Sequence, residues 1–139
     1  MKRVAAVIRL RPESITEYER LHADVWPAVL EQLARSSIDN YSIYRYGGLL
    51  FSYYEYLGDD LERDLAAMAA DPATREWWAL CEPLQLPVPE RADGEWWHRL
   101  NEVFHSDIAP ESGQRSDASS SNPAKTRRNH ALTSDTSDV

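Results

Sequence analysis

The spacing of apolar residues along the chain switches between a period of two and a period of about 3.6, and each switch marks an element. Val4–Leu10 is a short apolar run with β-branched residues and predicts a strand, ended by Pro12. Ser14 followed three residues on by Glu17 is a capping-box pattern and predicts a helix start. Ile15, Tyr18, His22, Val25, Trp26, Val29 and Leu33 then recur at steps of three and four, so one helical face is apolar with His22 set into it. Pro27 has no N–H and collides with the carbonyl four residues back, so the helix must kink or restart near Ala23–Trp26. A break just after His22 is a natural place for a pocket.

Ile38–Tyr46 and Leu49–Leu57 are strand-like runs around Gly47-Gly48, which signals a hairpin. By strict alternation Tyr41, Ile43 and Arg45 share one face of the first strand, and Asn40, Ser42, Tyr44 and Tyr46 the other. Asp59 or Asp60 predicts the cap of a helix running to about Ala70. Asp71-Pro72 stops it and starts another, which carries Trp77, Trp78, Leu80 and Cys81. Residues 83–94, with Pro83, Pro87, Pro89 and Gly94, predict a loop, and Glu95–His105 a closing strand. The order β, α, β-hairpin, α-α, β predicts an α+β fold, a ferredoxin-like antiparallel sheet with its helices on one face. Tyr, Trp and aliphatic residues lie on both sides of several strands, so the bare face needs a cover. A second copy of the same sheet supplies one, and the expectation is a homodimer.

Composition narrows the classes. The 139 residues suit one domain and carry a net charge of −8, a poor match to a nucleic-acid backbone or an anionic membrane. The one cysteine, Cys81, leaves no disulfide framework or multi-cysteine zinc site and suits a reducing compartment. The N-terminus opens like a signal peptide, but Arg9 and Arg11 interrupt its apolar run. No stretch approaches the roughly 20 apolar residues that cross a bilayer, and the expected location is cytoplasmic. All five Trp and seven Tyr precede residue 98. From Ser106 the chain turns to Ser, Asp, Asn, Pro, Thr and Arg, too polar to offset the entropy of ordering it. The expected division is a folded domain over 1–105 and a disordered polar tail over 106–139.

Among residues able to do chemistry, His22 leads, because a group titrating near 6.5 gives or takes a proton at neutral pH. Tyr18 lies four residues earlier on the same helix face, and Tyr41 reaches the same space if its strand face meets that helix. Trp77 and Trp78 project about 100° apart around their helix, so one can enter a cavity while the other packs. Hydroxyls, a proton shuttle and flat indole faces suit a small neutral polyol better than a nucleotide or a metal. Taken singly, each residue has a plainer reading. A lone His on an apolar helix face is more often a satisfied core residue than a catalyst, and Tyr18 and Tyr41 read as packing residues. Trp96 and Trp97, alternating on a terminal strand, are expected in the dimer interface, and Cys81 is expected to be buried and inert. His98 and His105 fall on opposite sides of that strand, which weakens any metal reading, and His130 lies in the tail. No dinucleotide fingerprint, phosphate loop or nucleophile elbow is present.

These residues carry a family resemblance. Tyr18-Glu19-Arg20-Leu21-His22-Ala23-Asp24-Val25-Trp26-Pro27 resembles the E-Y-x-x-x-H-x-x-x-W-P segment of the L-rhamnose mutarotase family. Asn40-Tyr41-Ser42-Ile43-Tyr44, Leu49-Leu50-Phe51, Trp77-Trp78 and Leu100-Asn101-Glu102-Val103-Phe104 agree in order and spacing, over about residues 2–105. The resemblance implies a dimeric α/β barrel of ferredoxin-like halves and a cofactor-free isomerase, with no metal, that interconverts the anomers of L-rhamnose. It places His22 at the proton donor's position, and Tyr18, Tyr41, Trp77 and Trp78 at sugar-binding positions. The sequence departs from the pattern in a short Gly47-Gly48 hairpin, in the bulky Glu95-Trp96-Trp97-His98 and in the added tail; the first two bear on which sugar is accepted. A mutarotase for another 6-deoxy aldose such as L-fucose, a cofactor-free monooxygenase or cyclase, and a non-catalytic binding module are the alternatives.

Overall fold

The computed structural model describes residues 1–108. Met1–His105 form one compact unit. The disordered tail expected over 106–139 falls, beyond Ile108, outside the described residues. The elements are β1 (Lys2–Leu10), α1 (Ile15–His22), α2 (Pro27–Arg35), β2 (Ile38–Tyr46), β3 (Leu49–Tyr56), α3 (Leu61–Ala70), α4 (Pro72–Cys81), β4 (Gln85–Leu86) and β5 (His98–Arg99). The sheet is antiparallel in the order β2-β3-β1-β4, with β5 also paired to β1. This is the ferredoxin-like α+β arrangement expected from the order of elements.

Helix boundaries follow local chemistry. Asp60 accepts a hydrogen bond from the Arg63 N–H at 3.1 Å and starts α3. Asp71 accepts from the backbone N–H of Thr74 at 3.0 Å and from its hydroxyl at 2.8 Å, and starts α4 with Pro72 in the first turn. Pro27 opens α2, so the long apolar face is broken into two helices around 23–26, as its missing N–H requires. The capping box at Ser14 does not form. A 3-10 turn over Pro12–Ser14 precedes α1, Ser14 already has helical dihedrals, and its side chain makes no cap bond. Glu17 instead accepts from Arg20 at 2.6 and 2.8 Å.

Three other expectations change. Residues 83–94 are not all loop, since Gln85 and Leu86 pair with Leu10 and Arg9. The closing strand over Glu95–His105 shrinks to two residues, His98 and Arg99, paired with Val7 and Ala6. The fourth strand is thus split in two along one edge of β1, and the intervening chain, with Pro87, Pro89 and Gly94, loops out. β2 also does not alternate strictly. Asp39 pairs with Glu55 and Ser42 with Tyr53, which leaves both Asn40 and Tyr41 across from Tyr54. Asn40, at φ 46°, absorbs this bulge in the left-handed region, where Asn is tolerated better than most residues. The extra residue brings Ile38 onto the face that Tyr41 and Ile43 occupy.

Helices cover the sheet face that carries Val4, Ala6, Ile8, Leu10, Leu50, Ser52 and Tyr56, all buried. Ile8, Leu10, Tyr18, Val29, Leu50, Trp77 and Cys81 form one core cluster, and Val4, Ile38, Tyr56, Leu61 and Met68 a second, with Trp78 packed against both. On the opposite face Tyr44 and Tyr46 pair with Phe51 and Leu49 and remain exposed. Among the described residues no helix is long and apolar enough to cross a membrane.

Candidate functional site

Between the two clusters the helices and sheet leave a cavity of about 580 Å³, within the usual range for small-molecule sites. His22 enters it from the last turn of α1, where the break before Pro27 exposes the helix end. Its Nδ1 lies 2.9 Å from the Tyr18 carbonyl. A carbonyl only accepts, so this nitrogen carries the proton in the neutral ring and Nε2 is left basic. Burial holds His22 below its ordinary 6.5, against a smaller opposing pull from that carbonyl.

The ring is fixed on two sides. Tyr18 stacks on it with centroids 4.0 Å apart, and Trp77 meets it edge-on at 5.3 Å. Trp26 in turn abuts Trp77 at 5.2 Å, so the residues flanking the helix break pack around the histidine. Tyr41 comes from the bulged part of β2 and meets Tyr54 edge-on at 5.7 Å. Tyr41 keeps 42% of its surface accessible, yet burial of its hydroxyl pushes it up to about 12, with Tyr54 and Cys81 adding to the shift. Burial also lifts Tyr18 above the ordinary phenol range, helped by Tyr41 and opposed by Gln85. Both phenols are therefore neutral donors at physiological pH. Cys81 lines the cavity as a thiol pushed up to about 11 by burial.

All five residues singled out from the sequence, His22, Tyr18, Tyr41, Trp77 and Trp78, line this one cavity. Both indoles of the Trp77-Trp78 pair reach it, because the cavity lies between the clusters that flank their helix. Sequence reasoning placed Trp96 and Trp97 elsewhere. Within this chain they line the same cavity, and Trp97 packs on the first core cluster. The reason is the shortened β5: neither lies in a strand, so alternation does not govern them. Glu95 shapes their loop by accepting from the N–H groups of Ala92 at 2.6 Å and Arg99 at 3.0 Å, while His98 Nδ1 lies 3.2 Å away. Those contacts, the backbone bonds foremost, hold the Glu95 carboxyl down to about 2.

Gln85, Tyr54 and Arg99 also line the cavity and carried no sequence signal. Gln85 is 5% exposed, and only its pairing with Leu10 brings it under Tyr18. Among the described residues no three His, Cys, Asp or Glu side chains are grouped to hold a metal ion. The arrangement offers one basic imidazole nitrogen, several phenol donors and apolar indole walls, which is equipment for moving protons on a small hydroxylated or aromatic molecule.

Comparison with known proteins places this geometry. The family profile described as L-rhamnose mutarotase matches residues 3–106. An L-rhamnose mutarotase of Ligilactobacillus salivarius is 34% identical over 110 residues, covering 76% of this chain and 97% of that protein. In fold, the chain is similar to the crystal structure of an L-rhamnose mutarotase from Formosa agariphila, with a TM-score of 0.60 and 21% identity over 77% of this chain and all (100%) of the other. It is also similar to tetracenomycin F2 cyclase from Streptomyces glaucescens, a type-II polyketide cyclase, with a TM-score of 0.57 and 20% identity over 79% of this chain and 100% of the other. With a family match across the whole cavity-bearing unit, this chain belongs to the L-rhamnose mutarotase family.

Proposed function

We propose that the chain interconverts the α and β anomers of L-rhamnose, with His22 as the proton-transfer group and Tyr18, Tyr41, Trp77 and Trp78 as the sugar-binding residues. The observation that carries this reading is a half-buried neutral imidazole, locked by a carbonyl at one nitrogen and basic at the other, inside a cavity of phenols and indoles. Ring opening removes the proton of the anomeric hydroxyl and breaks the bond between C1 and the ring oxygen. His22 Nε2 takes that proton as the C1 carbonyl forms. The anomeric and ring oxygens are both substituents of C1, so one nitrogen can serve both, and the imidazolium gives the proton to the departing ring oxygen. Rotation about C1–C2 then turns the other aldehyde face toward that hydroxyl. Closure returns its proton through Nε2 to the carbonyl oxygen.

His22 is thus base first and donor second, which reconciles its neutral resting state with the proton-donor role that the family resemblance implies for it. The scheme balances in protons alone and moves no electrons to a cofactor. A positioned acid/base of this kind contributes roughly 10²–10⁴-fold. Phenol donors raised above their usual range favour hydrogen bonding to the developing charge on the ring oxygen over ionising themselves. Indole faces match the C–H surface of a pyranose and its methyl group.

We further propose a homodimer, a folded domain over 1–105 followed by a polar tail, and a cytoplasmic location. Exposed Tyr44 and Tyr46 on the sheet face opposite the helices support pairing through that face, and Val103 and Phe104 are exposed as well. A cyclase or monooxygenase acting on an aromatic substrate is the second reading, supported by the likeness to the polyketide cyclase and by a cavity wall with four indoles.

The test is saturation-transfer proton NMR on equilibrated L-rhamnose with wild type, His22→Ala and no enzyme. Transfer between the anomeric protons that depends on His22 supports the mutarotase. Exchange of L-fucose but not L-rhamnose moves the substrate to another 6-deoxy aldose. Background rates across aldoses overturn the mutarotase reading and favour the second.

A further inference from the structure

Gln85 is a buried amide at the back of the cavity whose two ends are both committed. The Trp96 indole nitrogen lies 2.8 Å from its Oε1, and its Nε2 lies 3.4 Å from the Tyr18 hydroxyl oxygen. An indole N–H only donates, so the amide oxygen must face Trp96 and the amide NH₂ must face Tyr18. The Tyr18 oxygen therefore accepts from Gln85, which leaves its own proton for an acceptor other than Gln85. Backbone pairing of Gln85 with Leu10 and the Arg11 N–H bond to the Leu84 carbonyl at 3.0 Å hold this chain of contacts against the sheet.

We infer that Gln85, anchored by Trp96, is a positioning residue that fixes the Tyr18 hydroxyl as a hydrogen-bond donor to the sugar. The inference rests on the mutarotase reading of the site. It gives the Trp96 side chain a task beyond lining: the indole sets the polarity of the relay. Without it the amide is free to turn over, and Tyr18 to donate to Gln85 instead of to substrate.

Gln85→Glu tests the polarity with almost no change of shape. A protonated carboxyl still accepts from Trp96 and donates to Tyr18, while an ionised one accepts from both and draws the Tyr18 proton away from the cavity. The ratio of variant to wild-type kcat for L-rhamnose exchange, taken at each pH so that the titration of His22 cancels, is expected to fall by roughly tenfold as the carboxyl ionises, the worth of about one hydrogen bond. A ratio that stays flat across the pH range in which the Trp96 indole N–H resonance of Gln85→Glu titrates overturns the inference. The indole N–H resonance of Trp96 supplies a readout independent of catalysis. It is expected to titrate in Gln85→Glu and to shift in Gln85→Met, and a resonance identical in wild type and both variants also overturns the relay. A wild type silent on L-rhamnose but with a titrating Trp96 signal in Gln85→Glu refutes the proposed activity and leaves the relay standing. If the Gln85 variants do not fold by circular dichroism, Trp96→Phe is read instead: a several-fold fall in kcat at saturating sugar is expected, and unchanged kcat counts against the relay.

Discussion

Substituting Asn40 by valine should destabilise the protein more than substituting it by glycine, because the β2 bulge depends on a left-handed residue there. Asn40 sits at φ 46° and donates from Nδ2 to Glu55 at 2.9 Å across the strand pair. Either substitution removes that exposed hydrogen bond, worth about 0.5–1.5 kcal/mol. Valine adds the clash of a branched Cβ with its own carbonyl in this conformation, about 1–2 kcal/mol more, while glycine adopts it freely. The gap between the variants, about 1–2 kcal/mol, is measured by urea denaturation at one protein concentration, so that any association contributes equally. The bulge adjoins Tyr41, which lines the cavity, so the valine variant should also lose more exchange activity than the glycine variant. Removing Asn40 altogether is a sharper test. Asp39–Glu55 and Ser42–Tyr53 remain in register with one residue left across from Tyr54, so the deletion variant should fold with Tyr41 still on the face that Ile43 occupies and with exchange activity retained. A valine variant as stable as the glycine variant would refute the claim that backbone conformation, and not the side chain, is what Asn40 supplies.

Asp71→Ala removes the acceptor for both Thr74 donors at the start of α4 and should cost about 1 kcal/mol, read from the same denaturation curves. Gly58→Ala should destabilise by about 1–3 kcal/mol, since a Cβ there meets the Tyr56 hydroxyl and the Asp64 carboxylate, which are hydrogen-bonded to each other in a part-buried contact. The pH profile of kcat/KM should show an acid limb centred below 6.5, because burial favours neutral His22 and the reaction starts from that form; a limb at or above 6.5 contradicts the assignment. Glu95, held to about 2 in the fold against 4.5 ordinarily, adds stability that is present above pH 4.5 and is lost as pH falls toward 2, so wild type and Glu95→Gln should converge in Tm over that window.

Which features were legible in the sequence depended on how far their cause reaches along the chain. Pro27 breaks a helix through its own missing N–H, and Asp60 and Asp71 cap through atoms three residues away, so these were readable and so was the placement of His22 at a helix end. Even short-range patterns fail when a competing partner is as near: Ser14-x-x-Glu17 has the capping spelling, but Arg20 lies one turn on and captures the carboxylate. Tyr41 lies on the face that alternation predicts because the register runs back unbroken from the Gly47 turn, whereas the turn-over of Ile38 depends on a bulge visible only in the pairing with β3. Gln85 has no spelling at all. A glutamine between prolines is ordinary surface chemistry until Leu10 pairs with it and Tyr18 and Trp96 close around its amide. Trp96 and Trp97 escaped for a related reason: a strand of two residues imposes no alternation on its neighbours, and the Glu95 clamp, made largely of backbone N–H groups, decides where they point. The part of the cavity wall that departs from the family pattern is thus held by backbone bonds and one amide. Substitutions at Glu95 therefore offer a route to altering sugar preference without touching the Tyr18–His22–Trp77 stack, which Gln85 contacts through the Tyr18 hydroxyl.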